Sequence, residues 1–289
     1  PDVKRAQVFK TGERLRARIS SHPSIMVLND EAHHLHDPES AWNEAIAALH
    51  SQSKTKGNGG VLVQVDYTAT PKHNDGSLFR HIVSDFPLGE AVDAGIVKVP
   101  VIGQSDEIHK NEAAGDAFGE YRTHITLGYQ QYKQAFDEWQ GTRKPILFVM
   151  TESAQKANEI AQALNTLDQW PGDEEPNLLK GRVLNLHTRL KGKIKTRKVG
   201  KQTFQEFVYS EAASGISDDD LKEIRKWSQQ LDAEDSPYRC VVSVLMLREG
   251  WDVRNVTTIV PLRPYSAKSN ILAEQTLGRG LRRMTRPGE

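Results

Sequence analysis

Cysteine is nearly absent from this chain. Cys240 is the only one in 289 residues, which excludes a disulfide framework and suits a reducing, cytoplasmic setting. It lies in the apolar run CVVSVLML, where a buried, inert thiol is the expected role. Net charge is also absent: Lys and Arg number 38, as do Asp and Glu, so attraction to a polyanion or a membrane would need local clustering. No apolar run approaches the roughly 18 residues of a membrane span. The opening PDVKRAQVFK has no signal-peptide core. Neither HExxH nor a paired-cysteine pattern occurs, so the histidines of DEAHHLHD (His33, His34, His36, with Asp37) lack the spacing that converges on a tetrahedral metal.

What is present is a rhythm of short apolar runs alternating with helical patterns, over a length sufficient for two domains. It predicts an α/β chain with a mainly parallel sheet. SIMVLND reads as a strand ending in acids, and Asp37-Pro38 as the cap of a helix carrying Trp42, Ile46 and Leu49. GGVLVQVDYTATP is a strand stopped by Pro71, PLGEAVDAG a short helix ending at Gly95, and IVKVPVI a further strand. Residues 111 to 140 read as a polar helical connector. KPILFVMTESAQKANEIAQAL restarts a strand–turn–helix unit, and RVLNLHT, YRCVVSVLML and TTIVPL supply more strands. ILAEQTLGRGLRRM closes the chain as an arginine-bearing helix. The expected division is 1–103, a connector at 104–141, and 142–289 with an insertion at about 189–235.

Four stretches carry chemistry. Asp30 and Glu31 end a strand, where adjacent carboxylates need a cation, a partner or solvent. Such a pair fits metal–nucleotide hydrolysis, one acid holding Mg²⁺ and the next polarising water; two solvated acids are the plainer reading. Thr68-Ala69-Thr70 places hydroxyls at the next strand end. Glu249-Gly250-Trp251-Asp252 follows a buried strand, with a glycine permitting close approach and an acid able to accept from a ribose hydroxyl or an arginine. In Gln275-Thr276-Leu277-Gly278-Arg279-Gly280-Leu281-Arg282, two arginines three apart would project together from a helix toward a phosphoryl group. Taken singly, each also fits an ordinary strand end, turn or solvated helix face.

Their order resembles that of the superfamily 2 helicases and translocases. Asp30-Glu31-Ala32-His33 resembles motif II, the DEAH box; Thr68-Ala69-Thr70, motif III; Ile146 to Met150, motif IV; and Asn185-Leu186-His187-Thr188, the short motif after it. Glu249 to Asp252 resembles motif V and Gln275 to Arg282 motif VI. DEAHH, YTATP, GIVKVP, REGWDVRNV and LGRGLRR look most like the Res subunit of type III restriction enzymes, a form shared with other phage-defence systems. The resemblance implies a P-loop NTPase with tandem RecA-like domains binding ATP and Mg²⁺. It implies the motor core of an ATP-dependent DNA helicase or translocase, a hydrolase acting on double-stranded DNA beside a methyltransferase or other defence subunit. Asp30 would hold Mg²⁺ and Glu31 activate water; His33, Thr68 and Thr70 would couple the domains. Gly250, Asp252 and Gly278 would face the nucleotide, and Gln275, Arg279 and Arg282 the γ-phosphate. Thr188 and Ser243 would contact the nucleic-acid strand.

One family element is missing. No GxxxxGK[ST] phosphate loop occurs: Gly192-Lys193-Ile194 and Gly200-Lys201-Gln202 lack the final hydroxyl residue, and His187 and Lys195 stand where the first glycine belongs. In the family this loop lies far ahead of the DEAH box, whereas 29 residues precede Asp30. The expectation is an excerpt of a larger protein, inactive alone, with an incomplete sheet around Met26 to Leu28. No PD…ExK nuclease set is evident. In Arg189 to Arg197 basic residues alternate with period two, so a strand there would line up Lys191, Lys193 and Lys195 on a face able to follow a DNA backbone. A non-catalytic DNA- or partner-binding scaffold, and an RNA helicase of the same superfamily, remain as alternatives.

Overall fold

In the computed structural model the described residues are 12–35, 40–71, 77–104, 106, 109–139, 143–186, 192–199, 202–209, 217–244, 252–262 and 277–285. The chain divides into two compact units, Pro1–Asp85 and Phe86–Glu289. The architecture is α/β with parallel sheets, compatible with a RecA-like fold. Among the described residues, no helix is long and apolar enough to cross a membrane.

The first unit holds a parallel pair, β1 (Ile25–Asn29) and β2 (Val61–Asp66), in a register running from Ile25↔Val61 to Asn29↔Asp66. Parallel strands require a crossover, and α1 (Ala41–Thr55) supplies it. Ser40, not Asp37, caps this helix: its hydroxyl accepts from the Asn43 amide at 3.3 Å. Asp37 and Pro38 lie outside the described residues. The helix starts where a capping hydroxyl and a long helical pattern coincide, and Ser40 offers both. Met26, Leu28 and Leu62 remain 60–65% exposed, unusual for a parallel pair, whose faces are normally covered.

The second unit is built on four parallel strands in the order β4 (Val183–Leu186), β7 (Cys240–Ser243), β3 (Ile146–Met150), β8 (Val256–Pro261). Alternation splits β3 between two cores. Leu147 and Val149 face one core with Cys240, Val242 and Val260, while Ile146, Phe148 and Met150 face the other with Leu184, Leu186 and Val241. Both faces of the sheet are therefore apolar, which is why these strands read as continuous hydrophobic runs. Three short or medium helices, α2 (Leu88–Asp93), α3 (Ala117–Glu120) and α4 (Arg122–Glu138), precede β3, and α5 (Ala154–Thr166) follows it. Ser153 caps α5 by accepting from the Lys156 amide, and Ala157, Ile160, Ala161 and Leu164 bury its inner stripe. Burial of the Cys240 thiol is complete and pushes its pKa up, as expected of an inert residue.

Three sequence expectations change here. The supposed connector, α4, is part of the second unit's core: Ile125, Gly128, Tyr129 and Tyr132 are buried along one face. Gly128 permits this, because a Cβ there would collide with Val260 of β8. The strand expected at IVKVPVI does not form; only Val97 makes a β-bridge, antiparallel to Arg282, and Pro100 lacks the amide a ladder needs. The closing helix is described as helical only over 277–280, and Arg282 lies beyond it in that bridge. Glycines at 278 and 280 weaken the helix, and the bridge captures the following backbone.

Within the expected insertion, β5 (Gly192–Val199) and β6 (Gln202–Tyr209) pair antiparallel as a hairpin, followed by α6 (Asp218–Gln229).

Candidate functional site

In the first unit the parallel register brings two of the motif-like stretches together. The Tyr67 amide donates to the Asn29 carbonyl at 2.8 Å and the Ala32 amide to the Tyr67 carbonyl at 2.9 Å, so the backbone beyond β1 and β2 stays zipped. Asp30-Glu31 thus lies beside Thr68-Ala69-Thr70. Beneath them Asn29 is buried, donating to Asp66 Oδ1 at 2.7 Å and accepting from the Trp42 indole at 3.2 Å. Glu31 stands at φ 51°, a left-handed conformation unusual for a residue with a Cβ, and its amide donates to Asp30 Oδ1 at 2.8 Å. Asp30 is exposed and Glu31 half-buried. Thr68 accepts from the Thr70 amide at 3.1 Å; Thr70 is buried, and its Oγ1 has no hydrogen-bond partner among the described residues. A buried hydroxyl without a partner is a costly feature unless something docks on it. The carboxylate pair suits a hydrated Mg²⁺, and among the described residues no GxxxxGK[ST] loop lies beside it. His33 lies in the 3-10 helix Ala32–Leu35, its side chain outside the described part.

In the second unit, Asp252 and Arg282 meet: Arg282 Nη1 donates to Asp252 Oδ1 at 2.6 Å, and Arg254 approaches Asp252 at 3.5 Å. Asp252, Arg254 and Met284 line an open cleft of about 930 Å³ with Arg143, Arg239 and Asn255, residues that lead into β3, β7 and β8. Gly278 has open space around it, whereas a Cβ on Gly280 would press on Ile259 of β8. Of the two glycines in the GRG sequence, the second is thus the closely packed one. Arg279 is half-buried.

The pairing of Asp252 with Arg282 uses two residues predicted as site members, though as nucleotide contacts rather than as partners of each other. Ser243, expected to contact the nucleic-acid strand, stands at the end of β7 and is 1% exposed. Its position at the buried end of a central strand explains this. Gly250, Gln275, Thr188 and Lys191 lie outside the described residues; Lys193 and Lys195 occupy alternate positions in β5. His36 and Asp37 also lie outside them, and among the described residues no group of three or more His, Cys, Asp or Glu could hold a metal.

Sequence reasoning missed Lys98. Its Nζ donates to the carbonyls of Arg254 and Val256, each at 2.7 Å, and of Gly280 at 3.1 Å. Burial pushes its pKa down to about 8. The available signal was a lone lysine within the apolar stretch IVKVPVI. No protein-family model matches the chain, and no curated protein matches it.

Proposed function

We propose that the chain is the motor core of an ATP-dependent DNA translocase or helicase, of the kind found in type III restriction and related phage-defence enzymes. The observation that carries this reading is the parallel register of β1 and β2, which sets Asp30-Glu31 beside Thr68-Ala69-Thr70 in the order the resemblance requires. Asp30 would hold the Mg²⁺ that accompanies ATP, and the bound nucleotide would supply the phosphoryl group transferred to water. Glu31 would accept a proton from that water at its carboxylate. In the second unit, Asp252 holds Arg282 in an exposed ion pair, 58% and 39% exposed respectively. Exposed pairs contribute roughly 0–1 kcal/mol, so a phosphate group can draw Arg282 away at small cost. Arg279 would serve the same negative charge.

The test uses a protein that contains this chain together with a GxxxxGK[ST] loop. Glu31→Gln is expected to lower DNA-stimulated ATP hydrolysis by about 10²- to 10⁴-fold while leaving nucleotide affinity intact. Undiminished turnover would remove Glu31 from the base role. Stimulation by RNA in place of DNA would reassign the substrate within the same superfamily. The missing phosphate loop favours one rival reading, a non-catalytic scaffold that binds DNA or a partner. Wild-type protein that binds DNA without hydrolysing ATP would establish that rival.

A further inference from the structure

Among the described residues β8 is an edge strand, paired with β3 alone. At its entry the Asn255 carbonyl is turned inward and accepts from the Ile146 amide at 2.8 Å. The flanking carbonyls of Arg254 and Val256 alternate to the open side, where an edge strand presents unpaired acceptors. The Gly280 carbonyl is another orphan, at the end of a helical turn. One ammonium, that of Lys98, takes all three, and among the described residues its acceptors are all backbone carbonyls. Three further contacts stitch the same segment to the same turn. The Lys98 amide donates to the Leu281 carbonyl at 2.8 Å, Val97 bridges Arg282, and the Arg283 guanidinium donates to the Gly95 carbonyl.

The segments joined in this way bear Asp252 just ahead of Arg254, and Arg279 and Arg282 on either side of Gly280. We propose that Lys98 is a positioning residue: by drawing the Arg254, Val256 and Gly280 carbonyls onto one ammonium, it sets the arginine-bearing turn against Asp252. Lys98 has no role in contacting the reacting groups; it acts through the backbone of residues that would. Only the consequence for turnover rests on the motor reading. The local geometry does not.

Hydrogen exchange on the full chain tests the geometry. Lys98→Met keeps the aliphatic stem and removes the donors. It is expected to speed amide exchange over 277–285 and 252–256 by about tenfold or more, while Ile146–Met150 and Arg122–Glu138 keep their protection. Should Lys98→Met also loosen β3, the comparison passes to Lys98→Gln, which keeps two of the three donors without the charge, so a smaller acceleration confined to 277–285 and 252–256 is expected. Unchanged exchange at 277–285 overturns the proposal, as does equal loss in β3 with both variants. In a protein that hydrolyses ATP, Lys98→Met is expected to lower kcat by about tenfold with KM little changed, because an arginine slightly out of place loses transition-state contact. Unchanged kcat there overturns the positioning role. A wild-type protein without turnover removes the motor reading alone, and the exchange result still decides the role of Lys98.

Discussion

Glu31 combines an acid that could activate water with a backbone conformation that few residues adopt. At φ 51° the left-handed region costs a residue with a Cβ roughly 1–2 kcal/mol, and a glycine almost nothing. The Asp30 carboxylate accepts the Glu31 amide, and the Ala32 amide is tied to Tyr67, so the surrounding bonds hold the strained residue in place. Glycine would relieve the strain but loses more freedom on folding, which returns part of the gain. Glu31→Gly is therefore expected to stabilise the first unit by about 0.5–1 kcal/mol while removing the carboxylate chemistry. Slower amide exchange in β1 and β2 would register it; faster exchange would show that the conformation carries no relievable strain. Few surface glutamates would become more stable as glycine, so the sign of the effect is diagnostic.

Among the elements, the β5–β6 hairpin shows how far periodicity reaches. The alternation of Lys193, Lys195 and Arg197 predicted an extended strand, and β5 is one. Its register adds what the alternation could not: Lys193 stands opposite Val208, Lys195 opposite Glu206, and Arg197 opposite Phe204. In the register, the positions opposite the basic residues are thus one acidic and two apolar. Charge reversal at Lys193 and Lys195 in the intact protein is expected to weaken DNA binding and flatten its dependence on salt, by a slope change of about 1–2. Equal affinity at every salt concentration would discard the hairpin as a DNA contact. The central strands were legible because both faces of β3 and β7 are buried, leaving apolar runs such as ILFVM. Helix α4 was visible as a helix but not as core, because its polar residues concealed the spacing of Ile125, Gly128, Tyr129 and Tyr132. Asp30 and Glu31 could be singled out as an acid pair at a strand end. The union of Asp252 with Arg282 had no local signal, since 30 residues separate them. Lys98 was harder still: its partners are carbonyls 156 to 182 positions away, and every residue type has a carbonyl.

At the scale of the whole molecule the two units differ most in what they bury. Of the described residues in the first, only Ile25 and Ala32 are buried apolar groups, while Met26, Leu28, Leu62 and Val63 stay largely exposed. The second unit packs two clusters on opposite faces of a four-stranded sheet, with Tyr129, Tyr132, Phe148, Ile160 and Leu164 fully enclosed. Burial contributes about 25 cal/mol per Å² of apolar surface and must offset roughly 1–2 kcal/mol of backbone entropy for each ordered residue. Two buried apolar side chains among its described residues give the first unit little to set against that cost, whereas the second unit encloses two apolar clusters. Denaturation of the chain is therefore expected in two steps. Amides of β1 and β2 should lose protection at low denaturant with a shallow slope, and those of β3, β7 and β8 in a later, steeper transition, because the slope follows the surface exposed. Residue-resolved hydrogen exchange across a urea series separates the two. A single coincident transition would mean that the first unit draws its stability from contacts beyond its own described core, and the exposed faces of β1 and β2 are where such contacts would have the most apolar surface to cover.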